Sequence, residues 1–179
     1  MEHRPTSQDD HKPNKKDDSD MEDQRFKTLR HIEAVRNYLN ECIRELLLRA
    51  EQHDQSKMED PERALFDEYT PKLRGVTYGS AEYKKYMNEM NVCIQHHYAH
   101  NRHHPEHHKN GIKDMNLIDL LEMLCDWKSS SMRHNDGNIL KSIEINQSRF
   151  GYSEDLRIIL ENTAKWVDSR QVFHRAQES

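Results

Sequence analysis

The chain has 179 residues, with 32 acidic side chains against 27 Lys plus Arg and a formal net charge of −5. Apolar residues make up 34% and charged residues 33%, and the mean hydropathy is −1.15. No apolar run approaches the ~18 residues of a membrane span, and the acidic balance speaks against a general nucleic-acid coat. The length fits one ordinary domain. Cys42, Cys93 and Cys125 are odd in number and scattered, which excludes a disulfide framework and points to a reducing, cytoplasmic setting. No signal-peptide pattern opens the chain. One count is unusual: of 13 histidines, seven lie between His96 and His108.

Residues 1–22 contain two methionines and no other large apolar side chain. Such a segment cannot offset its conformational entropy by burial, and reads as a disordered charged tail. A helical domain then covers residues 23–175. Phe26, Leu29, Ile32, Val35, Leu39, Cys42, Ile43, Leu46, Leu47 and Ala50 recur at steps of three and four, the stripe of a helix. Asp60-Pro61-Glu62 reads as an N-cap followed by Pro at the first helical position. The short helix it opens ends at Tyr69, stopped by Thr70-Pro71. Ser80 caps a third helix with Tyr83, Tyr86, Met87, Met90, Ile94 and Tyr98 on its stripe, fading near Asn101 ahead of Pro105.

His103 to Lys113 is a polar loop. Asp114 or Asn116 caps the next helix, whose apolar face is Leu117, Ile118, Leu120, Leu121, Leu124 and Trp127. Two more helices follow, Ile139 to Arg149 and Ser153 to about Phe173, with Gly151 as the stop between them. No alternating strand and no glycine-rich phosphate loop is present. The fold class is all-α, about five to seven helices around one core.

Histidine and carboxylate positions carry the chemistry. His31, His53, Asp54 and Asp126 are of the types that bind Zn, Mn, Fe and related ions. Asp126 sits on the most apolar helix, where a carboxylate is costly unless paired or bound to a metal. Asp119 and Glu122 precede it by seven and four residues, so all three share a face and suit an outer layer that orients histidine ligands.

The order His31, His53-Asp54, Asp126 on a helical chain resembles the HD-domain metal-dependent phosphohydrolases. His53-Asp54-Gln55-Ser56-Lys57 looks like the form of the motif that adds a lysine. His103-His104-Pro105-Glu106-His107 is weakly similar to the extra histidine segment of members with more than one metal. These runs, with Asn101-Arg102 and the stretch Met115 to Trp127, also look like a phage and bacterial family that carries no established reaction.

The resemblance implies an HD-like fold and metal-dependent hydrolysis of a nucleotide or other small phosphoester. One or two divalent ions (Mn, Fe, Zn or Ni) are implied, on ligands His31, His53, Asp54, His100, His104 and Asp126. Asp54 is then a ligand and a bridge or proton acceptor, while Lys57 and Arg102 neutralise phosphate oxygens. His97, His103, His107, Asp119 and Glu122 are candidates for an outer layer or a second ion. The likeness leaves no role for a membrane, and it leaves the oligomeric state open. If phage-encoded, the protein works in the host cytoplasm.

His31 departs from the pattern. It lies 22 residues before His53, about 33 Å along one straight helix at 1.5 Å per residue. A shared metal requires a kink there, at Asn37 or Asn40. Blander readings compete at each position: a helix C-terminus for His53-Asp54, a solvated loop for the histidine tract, a surface carboxylate for Asp126. The alternative function is a non-catalytic metal-binding protein, or a phage-type interaction protein, on the same helical scaffold.

Overall fold

The computed structural model describes residues 15–77, 80–132 and 137–170. Among these residues the chain is all-helical. The α-helices are α1 (Lys15–Gln52), α2 (Glu62–Arg74), α3 (Ala81–Glu89), α4 (Asn91–His100), α5 (Leu117–Ser131), α6 (Ile139–Phe150) and α7 (Glu154–Ser169). Short 3₁₀ turns occupy Gln55–Met58, Pro105–His107 and Gly111–Asp114. No described helix is long and apolar enough to cross a membrane.

The chain divides into two units, Met1–Arg44 and Glu45–Ser179, and the boundary falls inside α1. α1 begins at Lys15, inside the segment expected as a charged tail. The rest of the expected tail lies outside the described residues. No Gly or Pro interrupts α1. Within the first unit the helix stripe is solvent-facing: Leu29, Ile32, Val35, Leu39 and Ile43 are all exposed.

The second unit holds the core. Met123 and Leu124 of α5, Ile139 and Ile143 of α6, and Leu160 and Ala164 of α7 pack with Tyr152. Each Met, Leu or Ile side chain among them contributes about 1.5–3 kcal/mol when fully buried. Tyr152 donates its hydroxyl hydrogen to the Ile143 carbonyl, so the phenol enters the core with its polar end satisfied. Caps fix the helix starts. Asn116 accepts from Ile118 N and Asp119 N, and Asp119 reciprocates to Asn116 N, a full capping box on α5. Asn138 and Ser153 cap α6 and α7. Gly151 closes α6 in the left-handed region (φ 66°) that its lack of a Cβ permits.

Two helices differ from the sequence expectation. α2 does not stop at Tyr69; it runs through Pro71 to Arg74. Pro71 removes one N–H, whose partner would be the carbonyl of Asp67, an exposed residue within reach of water. The expected third helix is two helices, α3 and α4, divided at the buried Met90, whose backbone sits near φ −83°, ψ 1°. On α5, Leu117 is exposed and the buried positions are Asp119, Met123 and Leu124. The end of the last helix expected beyond Arg170 lies outside the described residues.

Candidate metal centre

The centre is assembled within the second unit from five short pieces of chain, each aimed by a local feature. α1 ends at Gln52, and Asp54 takes the left-handed conformation (φ 56°, ψ 17°). Aspartate tolerates that region better than most residues. Successive residues of a helix point about 100° apart. The reversal at Asp54 breaks that rule and lets His53 and Asp54 converge. Backbone strain of this kind collects at functional sites.

α4 presents His97 on the buried face that also carries Met90 and Cys93. Asn101 then stops α4, its Nδ2 donating to the His97 carbonyl and to Ser56 Oγ, each at 2.8 Å. The loop beyond delivers His103 and His104. α5 turns Asp119, Glu122 and Asp126 to one face.

The ring nitrogens and carboxylates converge on Asp54. Its Oδ1 lies 3.3 Å from His97 Nε2 and 3.6 Å from His103 Nε2. His104 Nε2 is 2.9 Å from His97 Nε2. The other oxygen, Oδ2, lies 3.5 Å from His53 Nε2, which is 3.8 Å from Asp126 Oδ1. Two ligand sets therefore share one carboxylate: Asp54 with His97, His103 and His104, and Asp54 with His53 and Asp126. Around an ion with bonds of about 2.1 Å, neighbouring ligand atoms stand roughly 3.0–3.4 Å apart. The observed spacings bracket that range.

The outer layer explains why the nitrogens point inward. Glu122 Oε1 accepts from Nδ1 of both His53 (2.9 Å) and His103 (3.0 Å). Glu62, which is 0% exposed, accepts His97 Nδ1 on Oε2 at 2.8 Å. A histidine that donates from Nδ1 presents the lone pair of Nε2. The Nε2 atoms of these three histidines and the carboxylates of Asp54 and Asp126 face one another across the centre. Two buried atoms there have no hydrogen-bond partner at all, Asp54 Oδ1 and His103 Nε2. Orphans of this kind are expensive unless a cation fills the space. The donor set fits a divalent metal.

The electrostatics agree. Burial raises the Asp54 carboxyl, but His97, Lys57 and His53 outweigh it and hold the group well below the usual carboxylate range. Glu122 is held down in the same way by His103, His53 and Arg49. Hydrogen bonds to Asp126 and Glu122 push the His53 imidazole up to about 10. With no ion bound, a proton on His53 therefore neutralises part of the negative charge. Burial, with His103 and His97 alongside, drives His104 down to about 3, so it stays a neutral donor.

The remaining expected residues fall elsewhere. His31 is exposed in the first unit and belongs to none of the described ligand sets. His100 is exposed, with Nδ1 donating to the His96 carbonyl, and belongs to no ligand set either. It lies three residues past His97, about 60° round α4 on its exposed side. His107 donates Nδ1 to the Tyr98 carbonyl at 2.9 Å and shapes the loop.

Lys57 Nζ donates to Asp54 Oδ2 at 2.6 Å and lies 5.0 Å over the Phe66 ring. Arg102, expected to grip phosphate, instead spends its fork on Asp119 at 3.2 and 3.0 Å. Asp119 is 0% exposed and also faces Arg49, which reaches on to Glu122. These ions brace α5 and carry no ligand atom to the centre. Sequence reasoning missed Glu62 as a brace and ranked His97 and His103 below His100. The signal for His97 was its spacing from Met90 and Cys93, which continues one buried stripe. Glu62 carried no signal beyond following Pro61.

No curated protein and no solved structure matches the chain. A family model described as a family of unknown function (DUF5662) matches residues 20–168, and the chain belongs to that family.

Proposed function

We propose that the protein is a metal-dependent phosphohydrolase with an HD-type centre, acting on a nucleotide or another small phosphoester. The observation that carries the reading is the shared carboxylate: Asp54 offers one oxygen to each of two ligand sets, with orphaned buried atoms at the junction. His97, His103 and His104 would hold one ion, His53 and Asp126 the second, and Asp54 both. The ions belong to the Mn, Fe, Zn or Ni class that imidazole and carboxylate together favour. When bound, such a pair supplies Lewis acidity and lowers the pKa of water toward neutrality.

The chain's own groups do the rest. Glu122 and Glu62 hold the histidines in one tautomer. Lys57, 31% exposed, is a cation at the centre that solvent can reach. Its ammonium can pass from Asp54 to a substrate phosphate oxygen once a metal takes up the Asp54 charge. With its fork on Asp119, Arg102 is not assigned to phosphate. The order of the ligands along the chain, His53-Asp54 then Asp126 with histidines between, supports the HD resemblance.

A second reading rests on the number of elements joined. The ligands come from the end of α1, α4, the loop after it and α5, so an ion would also fasten the fold. One experiment separates the two. The metal-loaded chain is assayed against nucleoside mono-, di- and triphosphates and simple phosphomonoesters, beside Asp54→Ala and Lys57→Ala. Turnover that both variants lose supports the hydrolase. Full metal loading without turnover on any of these, combined with unfolding on chelation, supports the structural role instead.

A further inference from the structure

The part of α1 that lies in the first unit spends its polar groups within the helix. Lys27 pairs with Asp23 at 2.7 Å and Arg44 with Glu41 at 3.0 Å. Thr28 donates its hydroxyl hydrogen to the Gln24 carbonyl at 2.9 Å, and the Arg30 guanidinium lies 5.4 Å over the Phe26 ring. The apolar side chains face water instead. Met21, Leu29, Ile32, Val35, Leu39 and Ile43 are between 42% and 63% exposed. At about 100° per residue these six fall on one arc of about 120°. Asp23, Lys27, Arg30 and Glu41 fall on the far side of the same helix.

We infer that this stripe is a homodimer interface, covered in solution by the same stripe of a second copy of the chain. Half-exposed, the six side chains present on the order of 500 Å² of apolar surface, at the top of the range a monomer shows in one patch. Two copies facing one another would hide about 1,000 Å² before any polar rim is counted, the total that a specific interface needs. A two-fold axis pairs the stripe with itself, so apolar meets apolar without any other surface being required. Thr28 lies on the same arc, and its hydroxyl is already bonded to the Gln24 carbonyl, so burial there strands no donor. Arg25 and Arg36 share the arc too; their aliphatic stems can lie along the seam while the guanidinium heads reach water. A helix built to rest on an anionic membrane carries a uniformly basic polar face. Here the far side mixes Asp23 and Glu41 with Lys27 and Arg30, which favours a protein partner over a lipid surface. Packing of the apolar face supplies most of a helix's stability in water, and the second copy supplies that packing. The inference uses no ligand of the metal centre and stands whether or not the centre is a hydrolase.

The test is sedimentation equilibrium of the untagged full chain across micromolar concentrations, in excess chelator so that no ion bridges two copies. Wild type should sediment as a dimer that dissociates on dilution. Leu39→Asp, which puts a charge in the middle of the stripe, should weaken the dimer by about a hundredfold or more. Asn37→Asp, on the far side of the same helix, should leave its dissociation constant within about threefold of wild type. Fluorescence of Trp127 and Trp166, both in the second unit, should match wild type in both variants and so separates loss of the dimer from loss of the fold. A wild type that stays monomeric throughout, including one that binds anionic vesicles, overturns the inference. So does a dimer that Leu39→Asp leaves intact, or one that Asn37→Asp weakens equally.

Discussion

Glu122→Gln isolates the outer layer of the centre. The change keeps the size of the side chain and removes its charge. Glu122 Oε1 accepts from two histidines, at 2.9 and 3.0 Å, while Oε2 takes Arg49 at 3.0 Å. A glutamine that keeps its oxygen toward the histidines turns its NH₂ toward Arg49, donor against donor. Flipping it instead strands both imidazole N–H groups. Loss of one such outer partner typically costs about 10–100-fold in metal affinity. With two histidines loosened, we expect a loss near 100-fold, about 2.7 kcal/mol. Glu62→Gln touches one interior histidine, His97, and should cost nearer tenfold, about 1.4 kcal/mol. The assay is competition for Zn²⁺ against a chromogenic chelator, with the urea midpoint of the metal-free chain as a folding control. Wild-type affinity in both variants would refute the reasoning. So would a larger loss in Glu62→Gln.

Three further outcomes follow from the same geometry. Metal uptake near pH 7–8 should expel about one proton, because His53 is protonated up to about 10 without an ion and must be neutral to bind one; calorimetry in two buffers of different ionisation enthalpy reads that number, and zero would contradict it. The chelated protein should be most stable near pH 6.5. His53, raised to about 10, contributes stability that is full below its unfolded value and fades as pH rises toward 10. His104, lowered to about 3, contributes stability that is full above its unfolded value and is lost as pH falls toward 3. A flat urea-midpoint profile between pH 5 and 9 would count against both shifts. Asp119→Asn should lower stability by about 1–3 kcal/mol by taking the carboxylate from Arg102 and weakening the α5 capping box, yet leave metal per folded chain unchanged. Metal loss there would place Asp119 among the ligands.

Much of the fold was legible because helix periodicity and caps are local. Ser80 caps α3 as expected, Asn116 is the cap of the two candidates Asp114 and Asn116, Ser153 stands at the start of α7, and Gly151 is the stop between α6 and α7. Pro71 misled because a proline deep in a helix costs one hydrogen bond, and the exposed residue that loses it can turn to water.

The centre was legible in part for a related reason. His53-Asp54 and Asp126 are named by residue order alone. The choice among seven histidines depends on which face of α4 is buried. Continuing that face from Ile94 to Tyr98 passes over His97; reading it through Met90 and Cys93 finds it. His103 and His104 lie in a loop without periodicity, and only tertiary contact assigns them. Glu62 and Glu122 contrast most sharply. Glu122 shares a helix face with Asp126, whereas Glu62 reaches the centre from another helix, at no sequence spacing that could announce it.

The central claim is that the interior cluster is a two-ion centre joined by Asp54. Elemental analysis of the untagged chain, reconstituted with Mn²⁺ or Zn²⁺ and then passed through a weak-chelator column that strips exposed sites, tests it most directly. We expect two ions per wild-type chain and a loss of both in Asp54→Ala. A wild-type chain that retains no ion, or an Asp54→Ala chain that retains two, would contradict the claim.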